Sequence, residues 1–568
     1  MTTGQALTIG TRASALAMVQ ANIVRDALEA AGVPARLVQI TTDGDVRAPD
    51  TAWGEGAFVT AIETALLEGR IDLAIHSAKD VPTDEDPRLT IAAYLPREDA
   101  RDVLVVATGG QAGVVDLASL PSGARVGTDS PRRSAFLQAA RPDLQVHPIH
   151  GNVDTRLRRL DEGETDALVL AAAGLKRLGL AERIGSHFEA EAIPPAPGQG
   201  ALAVQVQADD TRVRELVARL DDRPTRRAVE LERAILARSG GGCRAPLGAH
   251  AVVDGDGISV TAGYARFGGG IAITTTLRAD GRADELDLAA SVVDELARRA
   301  TAAAITAGAP RVLVTRAADQ AAATALALVD RGLAPLLVPA IAIRTEGGAE
   351  METAVRGLGT PGGFDWVVLT SANAVHAISA GADRLGVDFD ETKAGGPRWA
   401  AIGRSSAAAM REAGITVDFQ PARADSQTLG ESLPVEPGER ILLPCGDLAG
   451  ADLPMALTDR GAVVTTVVAY RTEEGPADSV QLLEVALSES PVAIVATSGS
   501  TLRGLVALAA ALGAAARVQA IPVVAIGAST AAEATRLGFT VTGQAADQTP
   551  GGIANAVAAA VLAAAAVP

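Results

Sequence analysis

One cysteine of this chain has surroundings suited to covalent chemistry. Cys243 follows the three glycines Gly240–Gly242 and precedes Arg244. The glycines leave the thiol open to approach, and the neighbouring guanidinium favours the thiolate form. A buried structural cysteine would stand in an apolar run instead. The loop therefore predicts a covalent attachment point, with an incidental free thiol at a turn as the alternative.

Basic residues recur where a predicted strand passes into a helix. Ser130 suits an N-cap and Pro131 the first helical position. Arg132 and Arg133 then fall in the first turn, where the helix dipole disfavours cations. They need an anion nearby, either a structural carboxylate or a ligand, and His150–Arg156 repeats the pattern. Taken together these junctions predict a polyanion-binding cleft; a solvated charged face is the alternative for each alone.

A carboxylate follows a short buried strand predicted at Ile71–Ile75. The chain continues there into His76–Pro82, which contains Lys79 and Asp80. Polar groups just beyond a buried strand are placed to line a cleft. In a cleft the carboxylate could stabilise a cationic intermediate and move protons. A simple surface pair between the two adjacent charges is the alternative.

Composition sets the class of protein. A chain of 568 residues is expected to form roughly three to five domains. The net charge of −18 argues against binding to nucleic acid or to anionic membranes. Two distant cysteines and six scattered histidines give no disulfide framework and no metal-ligand spacing. With no evident signal peptide or membrane span, we expect a cytoplasmic α/β protein.

The elements that would position these residues alternate between strand and helix. Leu7–Gly10 predicts a strand, and Ser14 predicts the cap of a helix that ends near Gly32. Phe58–Gly69 has helical periodicity. This rhythm is typical of parallel sheets with helices on their faces. The irregular segment Thr41–Gly56 is expected to be either a lid or disordered.

Seven short motifs occur in the order seen in hydroxymethylbilane synthase, also called porphobilinogen deaminase. The resemblance covers residues 4–305. Its motifs are Thr11–Ser14, His76–Pro82, Arg132–Arg133, Gly151–Asn152, Ala173–Leu178, Pro197–Ala201 and Gly241–Cys243. It implies two α/β domains similar to periplasmic binding proteins, followed by a small α/β cofactor domain. Their expected bounds are 4–97 with 198–216, then 98–197, then 217–305.

The resemblance also implies a chemistry. Cys243 would hold a dipyrromethane cofactor through a thioether. Four porphobilinogen units would be joined head to tail with loss of ammonia, and hydrolysis would release hydroxymethylbilane. Asp80 matches the catalytic aspartate of the family. Cofactor contacts are expected from Lys79, Ser77, Thr128, Ser130, Arg132 and Arg133. Substrate contacts are expected from Arg12, Ser14, His150, Arg156 and Arg177.

Three departures from the family pattern stand out. His150 occupies the place of an arginine, and an imidazole is shorter and only partly charged near neutral pH. We therefore expect weaker activity, particularly at alkaline pH. The segment Gly54–Thr60 lacks the lysines usual in the family's lid. Asp129 and Pro131 replace small or aliphatic residues.

The second half contains an internal repeat of two short motifs. Val367–Asn373 is similar to Ile494–Ser500, and Ala400–Ala407 is similar to Val524–Ala531. Each segment is a predicted strand that ends in hydroxyls or glycine before a helix, where anions can be bound. Ordinary helix capping is the alternative for any one of them. Two such sets predict two related α/β lobes facing a cleft, and the lack of a P-loop disfavours nucleotide binding.

These motifs resemble uroporphyrinogen-III synthase over residues 310–565. The resemblance implies two flavodoxin-like lobes, 311–337 with 474–565 and 346–466, joined by connectors at Val338–Thr345 and Val467–Glu473. The reaction would close hydroxymethylbilane into uroporphyrinogen III, inverting ring D and losing water. Tyr470 matches the candidate that assists loss of the hydroxyl, with a packed core tyrosine as the alternative. Carboxylate contacts are expected from Ser371, Ser406, Ser498 and Thr530.

The sequence therefore predicts a fused, monomeric, bifunctional enzyme acting on small molecules, with no nucleic-acid, membrane or metal partner. One alternative keeps the first activity and makes the second half a non-catalytic partner. Another is a double-lobed solute-binding protein, which the loop of Cys243 and the missing signal peptide oppose.

Overall fold

The computed structural model describes residues 6–41, 59–83, 86–107, 116–242, 244–360, 362–387 and 396–565. Cys243 and, apart from Thr41, the predicted loop Thr41–Gly56 lie outside these ranges. Within them, no helix is long and apolar enough to cross a membrane.

The first module follows the predicted alternation of strands and helices. Ser14 and Ser130 cap helices as predicted, and Gly69 ends the helix at Thr60–Leu67 with a φ of +66°. The strands are β1 (Leu7–Thr11), β2 (Ala35–Gln39), β3 (Leu73–Ser77), β4 (Leu89–Tyr94), β5 (Asp102–Val106), β6 (Arg125–Gly127), β7 (Gln145–His147), β8 (Ala167–Ala171), β9 (Ser186–His187), β10 (Leu202–Gln207), β11 (Leu247–Asp254), β12 (Gly257–Ala265) and β13 (Ala272–Ala279). The helices are α1 (Ala15–Ala30), α2 (Thr60–Leu67), α3 (Pro131–Ala140), α4 (Val153–Asp161), α5 (Ala172–Arg177), α6 (Thr211–Val217), α7 (Arg223–Arg238) and α8 (Arg282–Thr306).

Two sheets of the first module share one plan. Their strand orders are β2-β1-β3-β10-β4 and β7-β6-β8-β5-β9. In each sheet the first three strands are parallel and the fourth runs against its neighbours. The chain enters the second sheet between Tyr94 and Asp102 and returns between His187 and Leu202. The strand ends of β3 and β6, with the helices that follow them, therefore meet where the chain crosses.

The third domain is the antiparallel sheet β11-β12-β13, with α7 and α8 packed against it. Glu232 of α7, fully buried, ties this domain to the first. Its carboxylate accepts two hydrogen bonds from Arg97, at 2.6 and 3.0 Å. It also accepts the N–H groups of Gly198 and Ala251, each at 2.7 Å. One buried acid thus joins three segments that are distant in sequence.

The second module contains two further five-stranded sheets. Its strands are β14 (Arg311–Val314), β15 (Ala334–Leu337), β16 (Ile341–Thr345), β17 (Trp366–Leu369), β18 (Arg398–Ala401), β19 (Arg440–Gly446), β20 (Val463–Glu474), β21 (Ala493–Ala496), β22 (Val523–Ala525) and β23 (Val541–Gln544). Its helices are α9 (Ala322–Asp330), α10 (Ala349–Leu358), α11 (Ala372–Leu385), α12 (Arg404–Glu412), α13 (Ser426–Ser432), α14 (Asp452–Asp459), α15 (Ser479–Ser488), α16 (Gly499–Ala511), α17 (Ala515–Gln519), α18 (Ala528–Arg536) and α19 (Pro550–Ala565).

The sheets of the second module are β15-β14-β21-β22-β23 and β16-β20-β19-β17-β18. Their strands pair in parallel, except that β16 runs antiparallel to β20. Central strands such as β17 and β21 are buried along their whole length, as expected when helices cover both faces. The predicted connectors fall on β16 and on the end of β20.

The two modules share a hydrophobic core. Helix α8 packs between the sheet of the third domain and α9 of the second module. Leu296 and Ala300 of α8 belong to the same buried cluster as Leu326 and Val329 of α9. The modules are therefore joined by packing as well as by the chain between Thr306 and Arg311.

Candidate active sites

The turn that carries Lys79 and Asp80 continues β3 directly. Ala78–Asp80 forms one turn of 3₁₀ helix. Gly198 packs against this turn with a φ of +75°, and a Cβ there would lie 3.1 Å from the backbone nitrogen of Lys79. Glycine suits both the backbone conformation and the close approach. The contact brings the next residue, Gln199, to Lys79.

Lys79 belongs to a group of charges centred on Asp102. Lys79 Nζ donates to Gln199 Oε1 at 3.0 Å, and Gln199 Nε2 donates to Asp102 Oδ1 at 2.8 Å. Arg133 donates to the same oxygen from Nε at 3.0 Å and from Nη2 at 2.7 Å. Arg132 Nη1 lies 2.8 Å from Asp102 Oδ2. The arginines in the first turn of α3 were predicted to need an anion nearby. The carboxylate of Asp102, which is fully buried, is such an anion.

The protonation states in this group depend on burial and on neighbouring charges. Burial alone would raise the pKa of Asp102, but Arg132 and Arg133 outweigh it and hold that pKa well below its usual range. Burial, helped by Arg133, lowers the pKa of Lys79 to about 8. The cations therefore outnumber the carboxylate they share, which suits a ligand that carries several carboxylates.

Asp80 lies beside this group and reaches solvent. The surrounding protein nevertheless desolvates its carboxyl and raises its pKa, while Lys79 and Arg12 pull the pKa down. A carboxyl group with a raised pKa beside cations is suited to taking up and releasing protons.

Two further predicted arginines lie partly buried with backbone partners. Arg156 Nε donates to the carbonyl of Gly151 at 2.8 Å, and Arg177 Nη2 donates to the carbonyl of Gly200 at 2.6 Å. Burial lowers the pKa of Arg156 to about 10 and also lowers that of Arg177. Each guanidinium keeps other N–H groups for a ligand.

The predicted hydroxyl residues are engaged at the strand-to-helix junctions. Ser77 Oγ accepts from Gln20 Nε2 at 3.0 Å, and Thr128 Oγ1 accepts the N–H of Ser130 at 3.3 Å. Ser130 Oγ accepts the N–H of Arg133, the third residue of α3, at 3.4 Å, and Ser14 Oγ accepts the N–H of Ala17, the third residue of α1, at 3.3 Å. These hydrogen bonds fix the backbone from which the charged side chains project.

His150 and Asp129, two of the departures noted in the sequence, lie side by side. His150 Nδ1 is 3.0 Å from Asp129 Oδ1. Nearby, Asn152 occupies the N-cap of α4, but its side chain makes no capping hydrogen bond. The carboxylate at Asp129 thus gives the imidazole a partner of opposite charge when it is protonated.

The segments on either side of Cys243 are described, although Cys243 is not. Ser239–Gly242 follows α7 directly, and Ser239 Oγ accepts the N–H of Gly241 at 3.3 Å. Ala245 N donates to Gly242 O at 2.9 Å. The role of Cys243 stays a prediction.

In the second module, Tyr470 and Ser371 lie in contact. Ser371 Oγ donates to the Tyr470 hydroxyl at 3.1 Å and also caps α11. The ring of Tyr470 packs over Gly446, where a Cβ would lie 2.7 Å from the ring. Tyr470 is thus partly buried, with its hydroxyl next to the start of a helix.

The other predicted hydroxyls of this module differ in access. Ser498 caps α16, and its Oγ lies 2.8 Å from Ser500 Oγ. Ser406 in α12 and Thr530 in α18 are only 1% and 3% exposed. The structure brings Ser371 to Tyr470, whereas Ser406 and Thr530 are enclosed by packing.

Comparison with known proteins matches the two halves of the chain to two families. The model of the porphobilinogen deaminase, dipyromethane cofactor binding domain, matches residues 7–215, and that of the porphobilinogen deaminase C-terminal domain matches residues 226–300. Porphobilinogen deaminase of Roseiflexus castenholzii is 52% identical over 44% of this chain and 82% of its own length. That of Nocardia farcinica is 50% identical over 44% of this chain and 71% of its own length. The chain belongs to the porphobilinogen deaminase family.

The model of uroporphyrinogen-III synthase HemD matches residues 322–555. Among solved structures, a mutant uroporphyrinogen III synthase of Thermus thermophilus is 22% identical over 45% of this chain and 100% of its own, with a TM-score of 0.34. The family models thus show a porphobilinogen deaminase module followed by a uroporphyrinogen-III synthase module. Membership of an enzyme family disfavours the solute-binding alternative.

Two residues of the deaminase module's charge cluster were missed by sequence reasoning. Gln199 lies in the Pro197–Ala201 motif, so its position was marked without a role. Asp102 gave no signal, because it follows Arg101 in a stretch that reads as surface charge. Its burial depends on the docking of α3, whose arginines lie about thirty residues further along the chain.

We predict that Asp102→Asn destabilises the deaminase module by about 3–5 kcal/mol, because Arg132 and Arg133 lose their buried anion. Thermal unfolding of the full chain measures this as a fall in the first midpoint. The matched control is Asp166→Asn, which breaks a half-exposed pair with Arg125 and should shift the midpoint little. Equal shifts in the two variants would contradict the importance of the buried cluster.

Proposed function

We propose that this chain catalyses two consecutive steps of tetrapyrrole biosynthesis. The first joins four porphobilinogen molecules into hydroxymethylbilane with release of ammonia, and the second cyclises hydroxymethylbilane to uroporphyrinogen III with inversion of ring D. The observation that carries the proposal is the surplus of cations beside Asp80, a solvent-reaching carboxyl whose pKa is raised because the surrounding protein desolvates it. Porphobilinogen carries carboxylates that the cations can bind. Its amine is the leaving group, and the loss of that amine generates the positive charge that Asp80 can stabilise.

In the first step, Lys79, Arg132 and Arg133 bind carboxylates. Asp80 stabilises positive charge that develops as the carbon–nitrogen bond of porphobilinogen breaks. A new carbon–carbon bond then joins two pyrroles, and Asp80 accepts the proton lost from the attacking pyrrole carbon. The raised pKa of Asp80 supports this second role, since a stronger base holds the proton more readily.

The cluster around Asp102 also suits the carboxylates of a dipyrromethane, and Cys243 is its proposed thioether anchor. The neighbouring contacts would come from Lys79, Ser77, Thr128, Ser130, Arg132 and Arg133. The group, when bound, supplies the primer to which porphobilinogen units are added. The side chains that would bind further units are Arg12, Ser14, His150, Arg156 and Arg177.

In the second step, Tyr470 assists departure of the hydroxyl of hydroxymethylbilane as water. Its hydroxyl is held at 3.1 Å by Ser371, which supports a proton-donating role. Ser498, at the matching helix start of the other lobe, is a proposed carboxylate contact. Ser406 and Thr530 are proposed at the same junctions, and their burial requires the surrounding side chains to move before they reach a ligand.

We further propose that the enzyme is a cytoplasmic monomer. The use of only two cysteines in 568 residues supports a reducing compartment. Sedimentation of the full chain at micromolar concentration tests the oligomeric state.

The covalent anchor is testable by intact mass. Protein incubated with porphobilinogen should gain roughly the mass of two deaminated pyrroles, and Cys243→Ser should lose both the adduct and turnover. Cys445→Ser is the matched control, because Cys445 is a buried thiol at the end of β19 and should not affect either. An unmodified but active protein would refute the anchor.

Alkaline pH should weaken the first step through Lys79. Its pKa of about 8 means that Lys79 is cationic below that pH and loses its charge as the pH rises through it. The KM for porphobilinogen should therefore rise between about pH 7 and pH 9, and Lys79→Arg should flatten the rise, since arginine stays charged. Lys176→Arg, at a surface pair with Glu98, should keep the wild-type profile.

The isomer of the product shows whether the second module is active. Wild-type protein supplied with porphobilinogen should yield uroporphyrinogen III, and Tyr470→Phe should slow cyclisation by about 10²-fold, so that isomer I accumulates. Tyr94→Phe, in β4 of the deaminase module, should leave the isomer ratio unchanged. Isomer I alone from the wild type would instead favour a non-catalytic second module.

A further inference from the structure

The loop that leads to Cys243 packs against the second module. Gly240 has a φ of +68°, and a Cβ there would lie 2.9 Å from Pro550 Cγ and 3.1 Å from Ala323 Cβ. Pro550 begins α19, and Ala323 is in the first turn of α9. The loop of the deaminase module therefore lies close against two helix starts of the synthase module.

Two hydrogen bonds hold the same junction. Tyr264 of β12, 3% exposed, donates from its hydroxyl to the carbonyl of Leu326 in α9 at 3.2 Å. The N–H of Phe267 donates to Asp330 Oδ1, at the end of α9, at 3.1 Å. The hydrogen bond of Tyr264 is buried and fixes orientation, because leaving either partner unsatisfied would cost free energy, whereas that of Phe267 is exposed.

A cavity of about 140 Å³ lies between the two modules at this junction. Gly240, Gly241 and Tyr264 line it from one side, and Leu326, Asp330 and Pro550 from the other. The contacts and the cavity therefore both lie at the base of the loop, where Gly240 and Gly241 line the cavity.

We propose that the synthase module positions the cofactor loop of the deaminase module. Three consecutive glycines have high conformational freedom, so holding the loop in one place requires contacts from elsewhere. Pro550 and Ala323 supply them to Gly240 from the second module. Leu326 and Asp330 hold Tyr264 of β12 and Phe267 just after it, on the same side of the junction. These are positioning residues, because they act through the loop. The inference rests on the proposed role of Cys243 as anchor.

The full-length double variant Asp330→Ala/Pro550→Ala tests the proposal. It removes the acceptor for Phe267 and the ring against Gly240. Amide hydrogen exchange should become faster in the peptide covering 239–247. The rate at which porphobilinogen adds the covalent adduct, and the deaminase kcat, should fall about tenfold, with little change in KM. Cyclisation of supplied hydroxymethylbilane should continue at the wild-type rate.

Two controls separate positioning from general destabilisation. Leu562→Ala changes an exposed residue of the same helix α19 and should leave every readout unchanged. Asp330→Asn/Pro550→Ala keeps an acceptor for Phe267 and should recover part of the loss. Unchanged exchange and loading in the double variant, or a parallel fall in cyclisation, would overturn the proposal. A wild-type protein that gains no adduct would count against the proposed function, while the exchange measurement would still decide the contact.

Discussion

The first active site depends on one constraint, a fully buried carboxylate that is surrounded by more cations than it can neutralise. Isolated charges are costly to bury, and Asp102 makes the burial of Arg132 and Arg133 possible. The carboxylate starts β5, the arginines start α3, and Gln199 comes from the return crossing of the chain. The cleft can therefore form only when these three segments come together. The positive charge left over is strengthened by the low dielectric around it.

The second module uses similar strand-to-helix junctions in its two lobes. Ser371 and Ser498 each cap the helix after a central buried strand, and Gly403 and Gly527 each precede the helix after the neighbouring strand. The same junction thus occurs in both lobes. In addition, α9 of the second module covers α8 of the deaminase module. The fusion therefore created a shared core in addition to a covalent link.

Local signals made much of the fold predictable from the sequence. Ser14, Ser130 with Pro131, and Gly69 act within one helical turn, and the structure confirms their helix ends.

The remaining features depend on contacts between distant segments. The environment of Asp102 and the approach of Gly240 to Pro550 have no local signature, because each partner lies far away in sequence. The enclosure of Ser406 and Thr530 likewise depends on how their helices pack. The sequence could mark these hydroxyls as donors at helix starts, but tertiary packing decides their access.

The ribbon formed by β16 and β20 has a mechanical consequence. It links the lobes of the second module as two antiparallel strands, with Thr345 opposite Tyr470 and cross-strand ion pairs from Arg344 to Glu473 and from Arg471 to Glu346. A two-stranded ribbon twists more easily than a wide sheet bends. Tyr470 lies at the end of this ribbon, and its partner Ser371 follows β17 of the same sheet, so a twist of the ribbon would leave their contact intact.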